Sequence, residues 1–163
     1  MGDIFVAKSR KYQNRLMYAG IGFIVFGVWT FVKSILTTIQ SMSELQELLS
    51  QLGDAGIVGR AFVLGVIGFA VALDILIRSY IGLSAISEGH GEKKSFFYVF
   101  VTAIFCVIIT TMDLSMMFDG ERIDLTDISA IIMDFTTCIA GIEILIYSYK
   151  LRKLKRIRST AKS

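Results

Sequence analysis

Four long apolar runs alternate with short polar stretches along this 163-residue chain. The first covers about residues 16–36 and holds no charge between Leu16 and Val32. The second covers 61–85, interrupted by Asp74 and Arg78; the third covers 96–118, with Asp113 near its end. The fourth, 128–149, carries Asp134 and Glu143 and is the least uniformly apolar. Each reaches the roughly 20 residues that a helix needs to cross a ~30 Å hydrocarbon layer. The runs are continuous rather than alternating with period two, so they predict helices and not barrel strands.

Composition agrees with this pattern. Apolar residues make up 54% of the chain, charged residues 19%, and mean hydropathy is +0.64. A water-soluble domain of this length has too little interior to hide so much apolar surface. The expected fold is all-α, a polytopic membrane protein with four transmembrane helices in one bundle-like domain, residues 1–163. Proline is absent, which suits unbroken helices and disfavours the interrupted helices of many transporter sites.

Charge sets the expected orientation. The 1–15 tail carries Lys8, Arg10, Lys11 and Arg15 against Asp3; the 150–163 tail carries seven cations and no acid. Lys93 and Lys94 lie between the second and third runs. The other two connections are acidic: Glu44, Glu47 and Asp54 in one, and four acids against Arg122 in the other. Cytoplasmic segments are enriched in Lys and Arg, which predicts both termini inside, in a plasma (cytoplasmic) membrane. The first run is longer than a signal-peptide core and no A-x-A pattern follows it, so it reads as a retained anchor.

Finer features are also predicted. Ser43 to Gln46 form an S-x-x-Q capping box before Leu45, Leu48, Leu49 and Leu52; this spacing predicts a short amphipathic helix on the outer surface. Residues 71–80 match 140–149 without gaps, with five of ten positions identical and Asp74 aligned on Glu143. That match suggests two tandem helical hairpins related by a parallel repeat. Ala61, Gly65, Gly68 and Ala72 give small-x-x-x-small spacing on the second run, a pattern that lets helices approach closely.

Candidate chemistry rests on intramembrane polar residues, which are costly and therefore informative. Asp74, Arg78, Glu143 and Tyr147 form one expected cluster at similar depth, with Arg78 one turn from Asp74. It is a structural clamp if the guanidinium pairs with both acids, or an ion carrier if one carboxylate is left to take up a proton. Lys33, Arg60, Asp113 and Asp134 form an expected outer set, with Lys33 or Arg60 as donor to Asp134. Cys106 and Cys138 sit in apolar runs and read as small hydrophobes. Glu88, His90 and Glu92 could be drawn as metal ligands, but a Gly-flanked loop of alternating residues reads as a solvated turn. No nucleophile, metal, P-loop or haem-attachment motif occurs; no cofactor, metal site or specific nucleic-acid partner is implied. The partners implied are the lipid bilayer, anionic lipids at the basic C-terminal tail, and further copies of the chain or other membrane subunits. The reading is a non-enzymatic membrane protein acting by helix association, with a small proton- or cation-coupled transporter or channel using Asp74 and Glu143 as the alternative.

Overall fold

A computed structural model of the chain describes residues 2–40, 56–92, 95–118 and 125–160. Among them are four helices and no strand: α1 (Gly2–Gln40), α2 (Gly56–Gly89), α3 (Phe97–Phe118) and α4 (Leu125–Thr160). All four contain a stretch long and apolar enough to cross a membrane. The predicted outer amphipathic helix, Lys93 and Lys94 lie outside the described residues.

Three helices outrun the apolar runs that predicted them. α1 begins at Gly2 rather than near residue 16, and α4 continues to Thr160 rather than ending near 149. The apolar run measures only the part suited to hydrocarbon. The basic tails are rich in Lys and Arg, which are good helix formers, and hold no proline to stop the turn.

The chain divides into two compact units, Met1–Phe26 with Ser79–Ser163, and Gly27–Arg78. In the first unit the buried positions recur at helical spacing: Leu16, Ala19 and Phe23 on α1; Ile81 and Ala85 on α2; Tyr98, Val99 and Phe105 on α3; Ala140, Ile144 and Leu151 on α4. Apart from Val99, the positions in each set lie three, four, seven or eleven residues apart, which puts them in one stripe along their helix. Phe23 meets Phe105 with ring centroids 5.7 Å apart. α1 and α2 cross most closely at two glycines, where a Cβ added to Gly20 would lie 2.8 Å from the Gly82 carbonyl oxygen. Only hydrogen fits there, so the small residues set the distance between backbones.

Hydroxyls inside the helices are satisfied locally. Thr102, Thr110, Thr136 and Thr137 donate to the carbonyls of Tyr98, Cys106, Ile132 and Met133, at 2.7 to 2.9 Å. This i−4 bond lets threonine sit among apolar neighbours without an orphaned donor. The outward faces are apolar: Phe62, Phe69, Leu76, Phe100, Val107, Phe135 and Ile142 are all exposed. So large an apolar exterior is unstable in water and natural in lipid.

Candidate functional site

The first unit holds a buried polar centre built from three helices. Its core is Glu88, whose side chain is 4% exposed, in the last turn of α2. That helix ends in a Schellman turn. Gly91 adopts φ +99°, its N–H donates to the Glu88 carbonyl at 3.0 Å, and the Glu92 N–H donates to the Ser87 carbonyl at 3.2 Å. A left-handed residue at this point favours glycine, and it turns the chain back toward α3. Ser95 then accepts the Phe97 N–H at 3.2 Å and opens α3.

Four donors converge on the Glu88 carboxylate. Arg152 of α4 makes a forked pair, Nε to Oε1 and Nη2 to Oε2, both at 2.9 Å. Tyr98 of α3 donates its hydroxyl to Oε2, and Ser148 of α4 donates to the same oxygen at 3.2 Å. The two hydroxyls lie 3.1 Å apart. Arg152 also donates to the Ser95 carbonyl at 3.2 Å, and its guanidinium lies over the Phe96 and Tyr98 rings, 5.3 and 5.8 Å from their centroids. The planar fork of arginine matches a carboxylate at both ends. A carboxylate held from three side chains in this way ties α2, α3 and α4 together.

The reading of the 87–92 segment as a solvated turn holds for His90, Gly91 and Glu92, which are exposed, and is corrected at Glu88. Glu88 is buried inside the helix interface, because its position continues the buried stripe of Ile81, Ser84 and Ala85. His90 Nδ1 lies 2.9 Å from the Ile86 carbonyl oxygen, and Ser87 bonds Glu92. The three side chains diverge, and among the described residues no group of three metal-ligating side chains occurs.

The second unit holds the other polar centre. Arg78 Nε lies 2.9 Å from Asp74 Oδ2 and 3.1 Å from Oδ1, one turn apart on α2. The arginine side chain is 4% exposed and the aspartate 32%. Room for the arginine comes from Gly27 of α1, where an added Cβ would meet Arg78 Cδ at 3.0 Å. On its open side Asp74 lines a groove of about 240 Å³ with Thr30, Phe31, Ser34, Ala70, Val71 and Ile75.

Of the predicted cluster, the structure thus places Asp74 and Arg78 together. Glu143 is half-buried on α4 in the first unit, one turn before Tyr147. Tyr147 lies against Tyr12 of α1, with ring centroids 6.1 Å apart. Of the outer set, Asp113 and Asp134 sit on α3 and α4 in the first unit. Lys33 is half-buried on α1 in the second unit, and the Arg60 side chain lies outside the described residues. The two cysteines are thiols on facing helices, Cys138 Sγ lying 3.8 Å from the Cys106 carbonyl oxygen. The chain matches no family model, no curated protein and no solved structure.

Proposed function

We propose that this chain is a non-enzymatic integral membrane protein that acts by helix association in the bilayer. It does so as an oligomer of itself or as an accessory subunit of a larger membrane complex, with both termini in the cytoplasm.

The observation that carries this reading is the state of the small-residue face on α2. Ala61, Gly65, Gly68 and Ala72 are all exposed, and a Cβ added at Gly65 or Gly68 would meet no atom of the described residues within 4 Å. The same kind of residue at Gly20 and Gly82 is consumed by close packing inside the chain. Glycine in a helix interior costs about 1 kcal/mol relative to alanine. That cost is repaid where another backbone approaches, as small residues allow in membranes.

Cysteine cross-linking in native membranes tests it, in a background lacking Cys106 and Cys138. A cysteine at Gly68 should form a disulfide-linked dimer, or a defined adduct with another polypeptide, in high yield. A cysteine at Val66, exposed on a different face of α2, should not. Equal yields at both positions would contradict the proposal.

A second reading, transport of a proton or cation by Asp74 and Glu143, is favoured by one observation: the Asp74 carboxylate opens onto a groove that also carries the Thr30 and Ser34 hydroxyls. Against it stands the Arg78 guanidinium, which already neutralises Asp74.

A further inference from the structure

The basic segments at the two ends of the sequence meet in the first unit. Tyr12 of α1 and Tyr147 of α4 bring their rings within 6.1 Å, and Lys150 Nζ lies over both, 5.9 and 5.7 Å from the centroids. α1 is unbroken from Gly2, so Lys8, Lys11 and Arg15 stand at i, i+3 and i+7 on one face beside Tyr12. On α4, Lys150 and Lys153 stand at i and i+3. All five cations are exposed, and none forms an ion pair among the described residues. Five like charges gathered on two adjoining helix faces favour an anion at this surface. Tyr12 and Tyr147 lie at the ends of the apolar runs 16–36 and 128–149 that face the basic tails, where tyrosines mark the headgroup level of a bilayer, so an anion here is within reach of lipid.

We propose that Lys8, Lys11, Arg15, Lys150 and Lys153 form one lipid site, assembled from both ends of the chain, for an anionic headgroup carrying two phosphodiesters. Lys8 and Arg15 lie seven residues apart, about 10 Å along the helix, which is too far for one phosphate to bridge. The Tyr12–Tyr147 pair holds the two basic helix ends side by side, and the rings orient the Lys150 ammonium while leaving its N–H donors available. Glu143, one turn before Tyr147, repels a phosphate seated deeper. The proposal rests on the membrane reading and refines the attraction of anionic lipid to the C-terminal tail into a composite site.

The test uses the full chain in phosphatidylcholine nanodiscs containing either diphosphatidylglycerol or phosphatidylglycerol at matched total charge, with lipid retained through detergent extraction counted by native mass spectrometry. The wild-type chain should retain diphosphatidylglycerol selectively. Lys8→Gln and Lys150→Gln should each weaken retention about fivefold, the effect of about 1 kcal/mol per cation. Tyr12→Leu leaves net charge unchanged and should abolish the preference while the thermal melt stays cooperative. Equal retention of the two lipids, or a preference that survives Tyr12→Leu, would overturn the composite site. A chain that does not enter nanodiscs at all would overturn the membrane reading instead.

Discussion

Arg152 and Glu88, 64 residues apart in the chain, are joined by two parallel hydrogen bonds of 2.9 Å. The carboxylate is the more deeply buried partner, with 4% of its side chain exposed against 27% for the guanidinium. Removing the arginine therefore strands a buried charge. Arg152→Leu should lower stability by about 3 kcal/mol, at the lower end of the range for breaking a buried pair because Arg152 reaches solvent. The double variant Glu88→Leu/Arg152→Leu should be milder, since no uncompensated charge remains. Thermal denaturation in detergent checks both, and a double variant worse than the single would refute this account of the centre.

The α1–α2 crossing responds to volume in a position-specific way. Gly82→Ala forces a Cβ against Ile24 and the Gly20 carbonyl and should cost about 1–3 kcal/mol through overpacking. Gly65→Ala fills open space and should leave the monomer unchanged or slightly more stable, because alanine is the better helix former. The two melting temperatures decide the matter; similar losses at both sites would mean that α2 is packed in a different way.

In the second unit, Arg78→Leu removes the partner of Asp74 and should destabilise the chain, whereas Asp74→Leu/Arg78→Leu should be tolerated. The transport reading demands something else of the same residues. Proteoliposomes under an imposed pH gradient would show ion movement that Asp74→Asn or Glu143→Gln suppresses without lowering the melting temperature. The expected result is no flux above protein-free liposomes, because Arg78 keeps Asp74 paired. Flux lost in either variant would move the protein into the transporter class.

Orientation is accessible to membrane-impermeant thiol reagents in a Cys106→Ala/Cys138→Ala background. Cysteines at Ser50 and Thr126 should be modified from outside. Cysteines at Gly91 and Ser159 should be modified only after the membrane is opened. External labelling of Gly91→Cys would rule out the four-span arrangement with both termini inside.

The four helices were legible because a hydrocarbon-spanning run is a local, strongly periodic signal. The Asp74–Arg78 pair was legible for the same reason, being one turn apart on one face. The Glu88 centre was not, because its partners lie 10, 60 and 64 residues away and its flanking glycines imitate an exposed loop. A signal did exist. Glu88 continues the stripe of Ile81, Ser84 and Ala85, just as Arg152 follows Ile144, Ser148 and Leu151 on α4. An acid and a base that each extend a buried stripe past the end of an apolar run are candidates for each other. The meeting of Tyr12 with Tyr147 had no such trace, since packing alone decides which aromatic ends abut.

Association through α2 is tested most directly by counting subunits of the fluorescently tagged chain, by single-molecule photobleaching in native membrane fragments. The wild-type chain should bleach in several steps, or run in a discrete complex with other membrane polypeptides. Gly65→Leu/Gly68→Leu should reduce it to single steps without a partner while thermal stability is kept, because a Cβ at either position meets nothing within 4 Å among the described residues. A wild-type chain that is a lone monomer, or an assembly unchanged by the double substitution, would contradict the account.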